Sequence, residues 1–307
     1  VQSLALQKAQ AVAAQHKDGL VLGADTVVVD AGSLLGKPQN TEEAAEMLRS
    51  LSGKWHQVMT AVALVDANDT KHEWTSVEIT NVKFRDLTED LPLISNHWQK
   101  EKITFDGIYT GYIGSTKQIE YIKDIIDAFK QNNLVVVVDP AMADNGKLYP
   151  LFNDEYVNAM KTLCAKADIV IPNITEACFM TGIEYKENYD EAYVSEMLKA
   201  LENDGMPNVV LTGISYNNET TGVIVKIGDK TDYYTHKKMP VGCHGTGDIF
   251  ASAFSGALLR GNDEYESARI AANYTLRCIE NSQGDEAHRY GAKFETAIPY
   301  LIEELNR

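Results

Sequence analysis

From Asp86 to the C-terminus, short apolar runs alternate with segments of helical periodicity. The apolar runs have the length of buried strands and lie at 105–110, 134–139, 168–172, 209–212, 222–227 and 231–236. The helical segments lie at 88–101, 116–130, 154–166, 189–203, 247–260, 263–281 and 292–305. Strands that alternate with helices form a mostly parallel sheet with helices on both faces. The pattern therefore predicts an α/β fold for this part of the chain.

The first part of the chain has a different rhythm. It predicts a helix over 1–16, a strand over 20–29, a helix capped by Asn40 and ended by Gly53, and strands over 56–65 and 74–84. The rhythm changes near residues 82–90 without a low-complexity linker. We therefore predict two domains, at 1–86 and 87–307.

Composition excludes several classes of partner. The chain has 28 basic and 44 acidic residues, a formal net charge of −16, which argues against a nucleic-acid or anionic-membrane surface. The longest aliphatic run, Leu134–Val138, is too short to span a membrane. The four cysteines are scattered without a Cys-x-x-Cys pair, which indicates reduced thiols and a cytoplasmic location.

Residues 245–248 read Gly-Thr-Gly-Asp and precede an apolar run of helical period. Glycines at the start of a helix let backbone N–H groups surround an anion, and the helix dipole favours negative charge there. Asp248 could accept the proton of a hydroxyl group that attacks a phosphate. The motif indicates phosphoryl transfer to a small alcohol.

Polar clusters follow three of the predicted strands, at 139–146, 172–176 and 212–213. Any one of them alone is consistent with a turn at the end of a strand. In a parallel sheet, however, ligands bind at the carboxyl ends of the strands. Together with residues 245–248, the clusters predict a nucleotide site.

Four segments together resemble the ribokinase-like superfamily, most closely the pyridoxal/pyridoxamine kinases. They are Gly111–Ser115, Asp139–Pro140, Asn173–Glu176 and His244–Asp248. The resemblance spans about Asp86 to the C-terminus and lacks the N-terminal quarter of these kinases. It implies ATP-dependent phosphorylation of the 5′-hydroxyl of a B6 vitamer. Asp248 would be the base, and the amides of Gly245, Thr246 and Gly247 the anion hole.

The resemblance also implies binding roles. Asn173 and Glu176 would hold Mg²⁺ through water, and Tyr112 would lie near the vitamer. The ATP-binding residues would be Asp139, Asp144, Thr175 and Thr212. A K⁺ requirement stays open, and a homodimer is expected by analogy. Ala141 and Ala143 stand where these kinases usually have valine and glycine. Glycine permits left-handed backbone that a β-carbon disfavours, so the position of Asp144 stays open.

Residues 1–86 resemble a fragment of the Maf family of nucleoside triphosphate pyrophosphatases. The matching stretches are Lys8-Ala9, Gly23–Val28, Gly36–Pro38, Glu42–Ala44, Leu51–Lys54 and His56–Thr60. Asp25, at a predicted strand end, could bind metal or orient a water, and Lys8 and Lys37 could contact a triphosphate. A solvated strand end and surface lysines explain the same three residues.

Three functions stay open. The first is a vitamer kinase that uses ATP and Mg²⁺, centred on Asp248. The second is a nucleotide pyrophosphatase centred on Asp25 and Lys37. The third is an inactive chimera that only binds nucleotide.

Overall fold

The computed structural model describes residues 1–16, 18–69, 72–130, 133–240, 243–285 and 291–306. The chain forms two compact units, Val1–Leu87 (unit 1) and Thr88–Arg307 (unit 2). In the part of the chain that is described, no helix is long and apolar enough to cross a membrane.

Unit 1 is a four-stranded antiparallel sheet with two helices. Its elements are α1 (Gln2–Ala13), β1 (Leu20–Asp30), β2 (Ser33–Leu35), α2 (Thr41–Leu51), β3 (Trp55–Asp66) and β4 (Glu73–Lys83), with the strands in the order β2-β1-β3-β4. The predicted helices and strands are confirmed, and β2 is additional. The side chain of Asn40 accepts a hydrogen bond from the Glu43 N–H at 2.8 Å and so caps α2, as predicted.

The core of unit 1 is built from small side chains. Ala5, Ala9 and Ala13 form one buried face of α1. They belong to the same cluster as Ala61 on β3, and α1 lies close to β1. A Cβ atom at Gly23 would lie only 2.4 Å from the carbonyl oxygen of Ala5. The close approach of helix and sheet therefore requires glycine at this position.

Unit 2 contains a six-stranded sheet in the order β12-β11-β10-β9-β6-β5. Its strands are β5 (Gly107–Thr110), β6 (Val135–Val138), β9 (Ile169–Val170), β10 (Val209–Ile214), β11 (Thr220–Ile227) and β12 (Lys230–Lys237). Strands β5, β6, β9 and β10 are parallel, whereas β11 and β12 pair antiparallel. The predicted mostly parallel sheet is confirmed. The strand predicted at 168–172 is shorter than expected.

Helices cover both faces of this sheet. They are α3 (Leu91–Lys100), α4 (Thr116–Phe129), α5 (Asp154–Cys164), α6 (Ile174–Thr181), α7 (Glu191–Asn203), α8 (Thr246–Leu259), α9 (Glu264–Ser282) and α10 (Ile298–Leu305). Val136 and Val138 of β6 belong to the core with α4–α7, and Val137 to the core with α8 and α9. The alternation along β6 shows that the two cores lie on opposite faces.

Three features of unit 2 differ from the sequence prediction. Helix α6 was not predicted, and neither was the short hairpin of β7 (Ala143–Asp144) and β8 (Lys147–Leu148). The last helix, predicted over 292–305, begins only at Ile298 and follows a 3₁₀ turn at Glu295–Ala297.

The Gly23→Ala variant should destabilise unit 1 by about 1–3 kcal/mol, because the new methyl group cannot fit without moving α1 away from β1. Hydrogen exchange of the α1 and β1 amides measures this opening within unit 1. Gly36→Ala is the matched control, since no heavy atom lies within 4 Å of a Cβ at Gly36. Equal exchange in the two variants would contradict the packing argument.

Candidate functional site

A cavity of about 490 Å³ lies at the carboxyl ends of the parallel strands in unit 2. Its lining includes the predicted residues Tyr112, Asp139, Asp144, Asn173, Glu176, Thr212 and Gly245–Asp248. Thr175 lies in the wall of an adjoining cavity of about 320 Å³, which shares Asp144, Asn173 and Thr212 with the first. Segments far apart in sequence thus meet where a parallel sheet places its ligands.

The Gly-Thr-Gly-Asp segment begins helix α8. Gly245 has a φ of +80°, in the left-handed region that favours glycine. No side chain caps this helix, and its first backbone bond runs from the Ile249 N–H to the Gly245 carbonyl at 3.1 Å. The amides of Thr246, Gly247 and Asp248 therefore have no partner within the helix. They can bind an anion in the cavity that they line.

Asp139 is held at the end of β6. Its N–H donates to the Thr110 carbonyl at 2.9 Å, and its Oδ1 accepts a hydrogen bond from the Ala141 N–H at 3.1 Å. Burial raises the pKa of Asp139, and the Asp248 carboxylate raises it further, against the lowering effect of the Ala141 bond. A carboxylate that is buried beside another negative charge is stabilised by a nearby cation or by a bound proton.

The backbone on both sides of Asp144 determines where this residue lies. Ala143 is not left-handed; it lies fully buried in β7. The left-handed residue is Ala141, with a φ of +37°. Asp144 is placed by the turn of the hairpin, where Asn145 and Gly146 have positive φ. Its Oδ1 accepts a hydrogen bond from the Asn145 N–H at 2.8 Å.

Glu176 joins helix α6 to the segment after β6. Its Oε2 accepts from the Asn173 N–H at 2.9 Å while the Asn173 side chain accepts from the Glu176 N–H, a reciprocal capping box. Its Oε1 accepts from the Met142 N–H at 3.0 Å. The residue is 2% exposed, and burial, followed by the charge of Asp139, raises its pKa.

The residues present fit a hydrated magnesium ion. Asp139 and Glu176 are buried carboxylates, and the charge of Asp139 raises the pKa of Glu176, so a divalent cation beside them would relieve the repulsion. Both Glu176 oxygens already accept backbone hydrogen bonds, which favours contact through water over direct ligation. Among the described residues, no group of three His, Cys, Asp or Glu side chains could hold a metal ion by itself.

The remaining predicted residues have distinct positions. Thr175 is buried, and its hydroxyl accepts a hydrogen bond from the Gly146 N–H at 3.1 Å. Thr212 donates from its N–H to the Pro172 carbonyl at 2.9 Å, which joins β10 to the end of β9. Tyr112 is 55% exposed at the cavity mouth, and its ring centroid lies 5.4 Å from that of Phe152.

Sequence reasoning missed two aromatic side chains of the cavity wall. Tyr149 lies in the cavity wall because its N–H donates a hydrogen bond to the Met142 carbonyl at 2.9 Å. Burial and then the nearby carboxylates, Glu176 first, raise its pKa to about 12. His236 on β12 also lines the cavity, and burial lowers its pKa. No motif marks either residue, since tertiary pairing alone places them there.

Unit 1 brings together two of its three predicted residues. The Lys8 Nζ lies 2.6 Å from Oδ1 of Asp25, whose side chain is 15% exposed. The sequence predicted Asp25 at a strand end, but it lies in the middle of β1, opposite Ala61 of β3. Lys37 is exposed between β2 and α2, and within the described ranges it has no contact with Lys8 or Asp25.

Comparison with known proteins confirms the resemblance to Maf proteins. The family model for a Maf-like protein matches residues 1–125 and so continues past the last residue of unit 1. A curated dTTP/UTP pyrophosphatase from Bacillus cereus is 52% identical over 90 residues, which are 29% of this chain and 46% of the relative. The chain therefore spans less than half the length of the curated relatives that it matches.

Solved structures match the other part of the chain. A Bacteroides thetaiotaomicron protein assigned as a phosphomethylpyrimidine kinase is 32% identical, with a TM-score of 0.68, over 73% of this chain and 78% of its own. A second crystal form of that protein contains pyridoxal. Pyridoxal kinase from Lactobacillus plantarum is 26% identical, with a TM-score of 0.64, over 74% and 80% of the two chains.

A more distant structure shares the fold. Pyridoxal kinase from Leishmania donovani, in complex with ADP and pyridoxamine, is 21% identical with a TM-score of 0.62, over 73% of this chain and 80% of its own. The matched share of this chain corresponds to the length of unit 2. The chain therefore belongs to the family of ribokinase-like pyridoxal and phosphomethylpyrimidine kinases, and its N-terminal part is similar to Maf-like proteins.

Proposed function

We propose that residues 87–307 transfer the γ-phosphoryl group of ATP to the 5′-hydroxyl of a B6 vitamer. The observation that carries the proposal is the cavity that brings together Asp248, the first amides of α8, which have no partner within the helix, and the carboxylates after β6. The family of solved structures, which includes one with bound pyridoxal and one with ADP, supports the choice of donor and acceptor.

The proposed reaction is an in-line displacement. Asp248 accepts the proton of the vitamer hydroxyl, whose oxygen forms a bond to the γ-phosphorus of ATP. The bond between that phosphorus and the bridging oxygen breaks, and ADP leaves with the electron pair. The amides of Thr246 and Gly247 donate to the phosphoryl oxygens and stabilise the loose transition state.

Three further roles follow from the cavity wall. Asp139, Asp144 and Thr212 line the cavity and would contact the phosphates of ATP, as would Thr175 from the adjoining cavity. Asn173 and Glu176 would hold Mg²⁺ through water, and this ion neutralises phosphate charge when bound. Tyr112 at the mouth would contact the vitamer ring. A homodimer, a K⁺ requirement and a cytoplasmic location stay predictions.

The Asp248→Asn variant should lose vitamer phosphorylation by about 100- to 10,000-fold in kcat, because the amide cannot accept the proton. Production of ADP and of vitamer phosphate from ATP·Mg²⁺ and pyridoxal, pyridoxine or pyridoxamine measures the change. Asp229→Asn is the control, since Asp229 lies in the turn between β11 and β12 and does not line this cavity.

Two results would count against the kinase. One is vitamer phosphorylation that survives Asp248→Asn at the rate of the control. The other is no product with any vitamer while a hydroxymethylpyrimidine is phosphorylated, which would move the proposal to that acceptor. Binding of ATP without any transfer would favour the inactive chimera.

We propose as a second candidate that unit 1 hydrolyses nucleoside triphosphates to monophosphate and pyrophosphate. The favouring observation is the short ion pair between Lys8 and Asp25, within a segment 52% identical to a dTTP/UTP pyrophosphatase. Asp25 would orient a water or bind a metal ion, and Lys8 would hold it in place and contact phosphate.

If this candidate holds, the wild-type chain releases pyrophosphate from dTTP or UTP, and Asp25→Asn reduces the rate on the order of 100-fold through loss of the charged group. Asp30→Asn, at the end of the same strand, is the control. A coupled pyrophosphate assay distinguishes this reaction from the kinase, which forms none. Release that is equal in both variants would rule out a role for Asp25.

A further inference from the structure

Tyr109 lies beside the proposed base but belongs to no motif. It is the third residue of β5, and its ring packs against the core beneath α8, which includes Phe250 and Phe254. A Cβ atom at Gly111 would lie 3.1 Å from the Tyr109 hydroxyl and 3.7 Å from Oδ1 of Asp248. The phenol and the carboxylate thus both lie near the position that a side chain at residue 111 would occupy.

The Tyr109 hydroxyl is surrounded by negative charge. Burial, then Asp139, then Asp248 raise its pKa, so the phenol keeps its proton at neutral pH. It forms no hydrogen bond to another described residue. Because ionised carboxylates can only accept hydrogen bonds, the neutral Tyr109 hydroxyl can interact with them only as a hydrogen-bond donor.

We propose that Tyr109 is a positioning residue whose hydroxyl donates a hydrogen bond to the Asp248 carboxylate in the catalytic complex. The proposal rests on the kinase function proposed above. Catalytic hydrogen bonds are often long before substrate binds and shorten in the complex. The bond would fix one Asp248 oxygen and leave the other directed towards the acceptor hydroxyl.

The physical reason for such a donor is the crowding of carboxylates. The charge of Asp248 contributes to the raised pKa of Asp139, so the two carboxylates lie close to each other. A donor at Asp248 stabilises its ionised form, which is the form that can accept a proton. The rigid β5 strand places this donor without a flexible loop, which limits the rotation of the base.

Gly111 has a defined part in this arrangement. Any side chain there would begin close to both the Tyr109 hydroxyl and Asp248, at the distances given above, and would crowd both. Gly111→Ala should therefore separate the donor from its acceptor even though both residues remain. Gly256→Ala in α8 is the matched control, because nothing lies within 4 Å of a Cβ at Gly256.

The first experiment is steady-state kinetics of the full chain with ATP·Mg²⁺ and pyridoxal. Tyr109→Phe should lower kcat by about 10- to 100-fold, as for loss of a hydrogen bond to a charged group, and leave the KM for ATP within about twofold. Gly111→Ala should lower kcat by a similar factor. Tyr274→Phe, which removes a hydroxyl bonded to the Phe294 carbonyl elsewhere in the same core, should retain the wild-type kcat.

A second experiment is independent of activity. In the chain labelled with ¹³Cζ-tyrosine, the NMR signal that is absent from Tyr109→Phe identifies Tyr109. With an ATP analogue and pyridoxal bound, that signal should shift in Asp248→Asn and remain unchanged in Asp229→Asn. This readout detects the contact directly, whether or not phosphate is transferred.

The outcomes separate the positioning role from the kinase function. An active wild type with a Tyr109→Phe kcat within twofold of it, or an unmoved Tyr109 signal in Asp248→Asn, would overturn the positioning role alone. An inactive wild type with a shifted signal would overturn the kinase and retain the contact. A rise in KM for ATP equal to the loss in kcat would also refute positioning.

Discussion

The cavity of unit 2 depends on the hydrogen bonds of one buried carboxylate. Glu176 caps α6 through the Asn173 N–H and at the same time accepts from the Met142 N–H, 34 residues earlier in the chain. The first bond fixes where the segment after β9 turns into a helix, and the second fixes the segment that carries Asp139 and Asp144. Removal of this side chain would leave buried amides without acceptors, which costs more than the net gain from an ordinary hydrogen bond.

An acidic cavity in an acidic chain can still bind a polyanion, because backbone amides can attract its phosphates and a cation can neutralise the nearby carboxylates. The amides at the start of α8 bring partial positive charge without a cationic side chain, and Gly245 turns them towards the cavity. Asp139 and Glu176 also line this cavity, and the charge of Asp139 raises the pKa of Glu176, an effect that a cation beside them would offset. The net charge of −16 is therefore compatible with ATP as a ligand. The net charge affects the long-range attraction of ATP to the protein more than its local recognition in the cavity.

The sequence predicted the parts of the site that local rules determine. Residues 245–248 were predicted from glycines before an apolar helix, whereas Asn173 and Glu176 were identified from a polar cluster after a strand and from the family resemblance, and the capping box that joins them was not predicted. Tyr149 and His236 could not be found in this way, since only the pairing of β12 in the sheet and the β7–β8 hairpin bring them to the cavity, and no motif marks Tyr109 on β5. The position of Asp144, which the sequence left open, follows from positive φ at Ala141, Asn145 and Gly146 rather than at Ala143. The prediction that Asp25 lies at a strand end was wrong, because the pattern of apolar residues alone does not show where a strand ends.

The two candidate functions differ in how much of each site the chain supplies. In unit 2, several strand ends converge on a single cavity, and every predicted kinase residue lines that cavity or the one beside it. Unit 1 offers the Lys8–Asp25 pair on a sheet whose opposite face leaves a row of apolar residues exposed, with Leu22 at 69% and Trp74 at 58%. The curated relatives have as much sequence again outside the matched 90 residues. Groups that complete a triphosphate site could lie there, whereas the kinase geometry is assembled within unit 2, and this contrast makes the kinase the better supported function.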